Sequence, residues 1–313
     1  MTSSAPPDYV PGPSGAMLDR QNAPRALRLL VAQRRLYTVA KRWQAVRWFG
    51  VLIIGIAAPV VAILWPQAAV AMGAIAGAWL FVGRTLLAWA EARLMTRAAV
   101  VQEEFDHYVF GMPETIERSG GPTREDIAHL VGPDDRLPGV VRKQRLADWY
   151  PIDAANSGAR AVAIAQRANA AYSDRLLRAT VTVWGVGSVA WTVLLITISM
   201  VVGMSLATFL LGVALPVLPA FLDAFEYIRS TARAARDRAD LARTIESRIT
   251  AQSDEVEGQE LLVWQERLFE LRRTTPQIPN WLYRLLRPKN EMAMHAAAGQ
   301  LTARPPEGTQ PDE

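Results

Sequence analysis

The sequence predicts an all-α integral membrane protein: four transmembrane helices arranged as two hairpins, with long helices extending into a cytoplasmic helical domain. Three observations predict this fold. Half of the residues are apolar and the mean hydropathy is positive. No charged residue lies between Arg47 and Arg84, and none between Arg178 and Asp223. All 34 Lys and Arg fall outside those two runs, which are 36 and 44 residues long. At about 1.5 Å of helical rise per residue each run exceeds a hydrocarbon core of roughly 30 Å, so each must fold back on itself.

The turns are marked in the sequence. In "AILWPQAAV", Trp65 supplies an interfacial ring and Pro66 a helix stop, giving spans near 48–65 and 67–84. In "SMVVGMSLA", Gly203 marks the second turn, between spans near 180–202 and 205–223. Neither turn carries a basic residue, whereas Lys41, Arg42, Arg47, Arg84, Arg93, Arg175, Arg178 and Arg229 crowd the other ends. The bias of basic residues towards the cytoplasm then predicts a multi-pass membrane protein with both termini cytoplasmic. The first residues carry no apolar core for a signal peptide, so the first span is expected to act as an uncleaved insertion signal.

This divides the chain into a disordered tail (1–24), a basic interfacial helix (25–47), hairpin one (48–84), a cytoplasmic helical sensor region (85–178), hairpin two (179–223), cytoplasmic C-terminal helices (224–297) and a second disordered tail (298–313). In the basic helix, Leu27, Leu30, Val39, Trp43 and Val46 fall roughly on one side. The second span continues as a helix to Gly111-Met112-Pro113. Thr123 is positioned as an N-cap, and a helix from Asn156 or Ser157 runs into the third span. In the fourth span Pro216 and Pro219 each remove a backbone donor, so the helix is expected to kink or loosen there. The charged helix beyond it carries Leu241, Ile245 and Ile249, breaks near Ser253 and restarts towards Trp264, Leu268 and Leu271. Asn280 then caps a short amphipathic helix.

The chemistry that the sequence excludes is broad. There is no cysteine, which removes disulfides, iron–sulfur clusters and thiolate zinc sites, and there are only three histidines. Glu104-x-x-His107 is the one Glu-x-x-His unit, whereas a di-iron carboxylate bundle needs two such units and two further glutamates. His129 and His295 sit in unrelated contexts. No Gly-x-Ser-x-Gly, Walker loop or His-Glu-x-x-His is present, so no enzyme activity, metal or cofactor is expected. A net charge of +4 does not argue for a DNA or RNA polymer. The spans carry no acid, base or histidine of the kind that couples ions in transporters.

Two patterns have a structural and a functional reading. Gly73-x-x-x-Gly77 is a small-xxx-small motif, serving either packing within the chain or self-association as a homo-oligomer. Arg160, Arg167, Asp174 and Arg178 share a stripe, since 7, 14 and 18 residues are close to whole turns; it is either a salt-bridged face or a surface for an anion. Tyr108, Trp149, Tyr150, Tyr172, Arg175, Trp281, Tyr283 and Arg284 add rings and guanidinium groups outside the spans, which suit either helix packing or a nucleotide pocket.

At "VQEEFDHYVFGMP", "ADWYP", "ARAVAIAQRANAAYSDRLLR" and "ELRRTTPQIPNWLYRLLRPKNE" the chain resembles the SMODS-associating four-transmembrane effector family, over about residues 25 to 297. The resemblance implies a non-enzymatic, pore-forming effector of bacterial CBASS-type antiphage signalling. It further implies that a partner cyclase of the CD-NTase type makes a cyclic di- or oligonucleotide, that the cytoplasmic region binds it as an activating ligand, and that the spans damage the bacterial inner membrane in abortive infection. Positions that match are Gln102, Glu104, Phe105 and Asp106, then Asp148, Trp149 and Tyr150, then Arg160, Gln166, Arg167, Asn169 and Arg175. Family members often carry a tryptophan where this chain has Glu114. Candidate ligand contacts are therefore Arg160, Arg167, Arg175, Trp149, Tyr150 and Tyr108; Gln102, Glu104 and Asp106 would build the sensor, with the carboxylates held by Arg160 or Arg167. Gly73, Gly77, Pro216 and Pro219 would serve packing and gating. A small transporter or constitutive channel, and a membrane-anchored scaffold, are the alternatives.

Overall fold

A computed structural model of the protein describes residues 8–113, 118–251 and 256–302; Glu114 and Ser253 lie outside them. Among the described residues the secondary structure is entirely helical. Short α1 (Ser14–Asn22) leads into α2 (Pro24–Leu64), whose apolar half is the first span. A 3-10 turn at Pro66–Ala68 starts the return through α3 (Ala69–Val82). A π-helical turn at Gly83–Leu87 joins α3 to α4 (Ala88–Phe110). Two short helices follow, α5 (Arg124–Val131) and α6 (Leu137–Gln144). The second hairpin is α7 (Gly158–Val201), one turn of α8 (Leu206–Thr208), a π-helical stretch Phe209–Ala214, and α9 (Leu215–Thr250). The chain closes with α10 (Gly258–Thr274) and α11 (Asn280–Thr302).

Local chemistry sets these boundaries. Thr123 Oγ1 accepts from the Asp126 amide while the Asp126 carboxylate accepts from the Thr123 amide, a reciprocal cap on α5. Ser157 Oγ accepts from the Arg160 amide at the start of α7. Gly111 (φ +70°) ends α4 and Gly203 (φ +72°) makes the second membrane turn, both left-handed positions where a Cβ is costly. Pro216 cannot donate to the carbonyl four residues back, and the widened turn of Phe209–Ala214 sits immediately before it, which is the loosening expected of that span.

The four apolar helices are long enough to cross a bilayer, and their outward residues are large and apolar, including Phe49, Val186, Val201 and Leu211. The two helices of each hairpin lie against one another, α2 along α3 and α4, and α7 along α9. Within the first hairpin the close approach is made at Gly50, where a Cβ would sit 2.0 Å from the Trp79 ring. A Cβ at Gly73 or Gly77 would meet nothing within 4 Å, so the small-xxx-small face is not used for packing within the chain. Membrane packing is thin, with Leu195, Val213 and Val217 as its buried cluster.

The main core lies outside the membrane, where Met17, Leu30, Phe105, Phe110, Leu146, Ile164, Ile245, Leu261 and Leu268 are fully buried. This corrects the expected tail over its described part, 8–24: α1 is helical, Met17 is buried, and the Tyr9 hydroxyl donates to the Phe110 carbonyl (2.9 Å). The expected tail at 298–313 is corrected over 298–302, where α11 runs through Pro288 to Thr302 and buries Ala298. On α2 the buried seam is Ala26, Leu30, Gln33, Leu36, Ala40 and Gln44, whereas Trp43 and Val46 are exposed. Small and amide side chains fill that seam because helices approach it closely, so hydrophobicity alone picks the wrong side.

Candidate functional site

The segment around Asp106 is a buried polar junction. Asp106 is fully enclosed and accepts from the Tyr150 hydroxyl (2.5 Å), Gln265 Nε2 (2.8 Å) and Arg272 Nη1 (2.5 Å). One turn back, Glu103 accepts from Gln265 Nε2 (2.9 Å) and lies near His107 Nε2 (3.3 Å), Arg118 (3.4 Å) and Arg272 (3.6 Å). Burial raises the pKa of Glu103, but His107, Arg272 and Gln265 outweigh it and hold the carboxyl below its ordinary value. Burial, with Asp106 alongside, pushes the Tyr150 hydroxyl well up, so it stays a donor. Gln265 also accepts from Gln166 of α7 (3.0 Å), placing α10 between α4 and α7 as their common partner.

One expectation is corrected here. The carboxylates of this segment are not held by Arg160 or Arg167: Arg160 donates to the Leu301 carbonyl (2.6 Å), and Arg167 pairs with Glu246 (2.8 Å). The stripe on α7 is a bonded face, closed further by Arg178 on Asp174 (2.7 Å), and Arg175 is exposed. Glu104 and His107 do not converge either, since Glu104 faces Arg25 (3.3 Å) and His107 faces Glu103. Among the described residues no group of three metal-ligating side chains is assembled.

Beside the junction lies a cavity of about 480 Å³, within the range of about 300–1,000 Å³ usual for ligand sites. Its walls come from α2 (Arg34, Tyr37, Lys41), α4 (Gln102), the segment before α7 (Arg145, Asp148, Trp149, Tyr150), α7 (Asn169, Tyr172), α9 (Arg238), α10 (Arg272) and α11 (Tyr283, Arg287, Glu291, His295). Six Lys and Arg face two carboxylates there, and five rings line it. Of the candidate ligand residues, Trp149 and Tyr150 reach this cavity, as does Gln102; Arg160, Arg167, Arg175 and Tyr108 do not. Tyr108 packs instead under the Arg25 guanidinium (4.8 Å), and Trp281 and Arg284 also lie elsewhere.

The deepest cations define the chemistry. Arg238 is 4 % exposed, donates to the Leu271 carbonyl (3.1 Å) and Thr275 Oγ1 (3.2 Å), and has no ion pair among the described residues. Its Nε finds no acceptor. Burial, with Arg272 nearby, lowers its pKa to about 10. Arg272 is equally buried; burial lowers its pKa, yet Asp106, Tyr150 and Glu103 outweigh that and raise it. Even so, its Nε and Nη2 have no acceptor among the described residues. At the rim, Lys41 bonds Asn280 Oδ1 (3.1 Å) and lies against the Tyr283 ring, and burial beside Arg34 lowers its pKa to about 8. A charge left this deep without a counter-ion costs several kcal/mol, which an entering anion would recover.

Arg238, Arg272 and Gln265 escaped the sequence reading, although one signal was available. On α9 the buried positions Tyr227, Thr231, Ala234, Leu241, Ile245 and Ile249 recur every three or four residues, and Arg238 occupies a place in that series. A cation at a core position is a functional signal when no acid accompanies it.

The description of the SMODS-associating 4TM effector domain matches residues 16–301. No curated protein and no solved structure is matched. A four-span chain whose helices gather into an extramembrane body with a cationic cavity, matched over nearly its whole length, belongs to the SMODS-associating 4TM effector family.

Proposed function

We propose that this protein is a membrane effector of antiphage defence whose extramembrane body is a cytoplasmic sensor for a cyclic di- or oligonucleotide made by a partner cyclase. Binding converts the four spans from a resting arrangement to a homo-oligomeric pore or lesion in the inner membrane. Orientation rests on the basic residues, which flank the spans on the side of the body and are missing from both turns. One observation carries the ligand: a cavity lined by rings whose depth holds Arg238 without a carboxylate and Arg272 with two unused donor atoms. Guanidinium groups take phosphate oxygens in pairs, and the Trp149 and Tyr172 rings in the lining are material for stacking on bases. Ligand shifts the membrane equilibrium by its differential affinity for the two arrangements.

The test is dye release from liposomes carrying the purified protein, titrated with a panel of cyclic di- and trinucleotides, with equilibrium binding measured in parallel. Release with one ligand is expected. Arg238→Met should weaken its binding by about 10- to 100-fold, the value of hydrogen bonds to a charged group, and Arg160→Met should leave binding within about twofold. Binding unaffected by Arg238→Met would remove the cavity from the mechanism.

A further inference from the structure

Residues 275–279, between α10 and α11, separate two cavities. Thr275 and Pro276 line the cationic cavity and also a crevice of about 450 Å³ at the membrane boundary, where Gln44, Trp48, Glu91 and Tyr227 stand. One helix grips this segment at two heights. From α9, Arg238 Nη2 donates to Leu271 O and Thr275 Oγ1, and the Tyr227 hydroxyl donates to the Gln277 carbonyl (2.7 Å). Arg238 and Tyr227 are eleven residues apart, about three turns, and so share a face. The Gln277 carbonyl takes a second bond from Gln44 Nε2 of α2 (3.1 Å). The Tyr227 ring meets Trp48 of α2 (5.4 Å) and Trp184 of α7 (5.2 Å), and those two rings meet each other (4.2 Å). A single carbonyl thus ties α2 and α9 where they enter the membrane, and the ring cluster adds α7.

We propose that residues 275–279 are a clasp that holds the spans in their resting arrangement, and that an anion in the cavity opens it by drawing Arg238 away from Leu271 and Thr275. This rests on the reading of the cavity as a nucleotide site. The competition has a definite sign, because Arg238 now spends its bonds on a neutral carbonyl and a hydroxyl, and a charge-assisted bond to phosphate is roughly twice as strong. With Thr275 released from α9, Gln277 no longer holds Gln44 and Tyr227 to one acceptor. The ends of α2 and α9 are then free to separate under the ring cluster.

Proteoliposomes without nucleotide test the clasp directly. Tyr227→Phe keeps the ring and deletes the hydroxyl, Gln44→Leu removes the second bond, and Thr275→Val removes an anchor at the far end. Each should raise basal dye release about fivefold, the shift given by one lost hydrogen bond. Tyr227→Phe should bind fluorescent cyclic di-adenylate or cyclic di-guanylate, whichever the wild-type chain binds, as tightly as the wild-type chain or up to about fivefold more tightly, because a weaker clasp costs the ligand less to open. Ser230→Ala, which deletes another hydrogen-bonding group of the same crevice, should leak as wild type does. Basal release at the wild-type rate in all three variants overturns the clasp, as does loss of triggered release with binding retained, or equal leakage from Ser230→Ala. Absence of nucleotide binding by the wild-type chain would instead overturn the ligand reading, and the basal comparison would still decide the clasp.

Discussion

Arg238 and Arg272 stand in one buried wall with opposite surroundings, and the difference separates their contributions to stability. Arg272 satisfies two enclosed carboxylates, Asp106 and Glu103. Replacing it with methionine leaves Asp106 without an ion pair among the described residues and takes one of several partners from Glu103, and should cost about 3–5 kcal/mol, as for other buried pairs that lose one partner. Arg238 satisfies no carboxylate among the described residues, so Arg238→Met takes one donor from a carbonyl and a hydroxyl that stay bonded to each other, and removes an uncompensated charge. Its expected cost is within about 1 kcal/mol, or a gain. Thermal unfolding in detergent should therefore rank Arg272→Met far below wild type and Arg238→Met beside it, although Arg238→Met is the variant that loses ligand. The reverse ranking would show that Arg238 is present for structure. Tyr150 illustrates how such a site hides in a sequence: its ring stacks near Phe105 and Phe110 while its hydroxyl serves Asp106, so one residue belongs to both core and cavity.

At the scale of the elements, the spans and their punctuation were legible because each depends on near neighbours in the chain. Charge avoidance set the spans, Pro66 and Gly203 set the turns, and Thr123 and Ser157 set two helix starts. The element that misled was α1, whose polar composition conceals that Gln21 Oε1 accepts from the Tyr150 amide (3.0 Å) and that Ser14 bonds the segment before α7. Its order comes entirely from distant partners. The fourth span combines a local cause with a functional consequence. Pro216 and Pro219 leave carbonyls without intrahelical donors, and the π-helical stretch ahead of them is an already widened helix inside the membrane. Replacing both prolines with leucine restores two donors at about 1 kcal/mol each, which should favour a straight helix and reduce ligand-triggered dye release roughly tenfold or more. Nucleotide binding should be unchanged, because neither proline lines the cavity. Release at the wild-type level would exclude the fourth span from the membrane lesion.

At the scale of the whole molecule, the cavity could not be read from the sequence because six helices and the segment before α7 supply its walls, with partners more than 200 residues apart, such as Lys41 and Asn280. Motif spacing on α7 pointed to Arg160 and Arg167, yet long-range packing gives those two to Leu301 and Glu246. The same global view changes the meaning of Gly73 and Gly77. Within one chain the hairpin closes through Gly50 and Trp79, and Arg84 ties the two hairpins through Asp223 (2.6 Å), which leaves the Gly73/Gly77 face turned away from the other spans. Small residues let helix backbones approach closely in lipid, where apolar burial gives little drive for association, so this face gains contacts only from a neighbour outside the chain. Under the proposed pore mechanism that neighbour is a second copy. Gly73→Leu with Gly77→Leu should leave the monomer fold and nucleotide affinity intact, since a Cβ at either position meets nothing within 4 Å, while abolishing ligand-dependent cross-linking between copies and reducing dye release in parallel. If cross-linking and release both persist, the copies associate through another face; if release alone persists, the lesion forms without association and the pore must be built by a single chain.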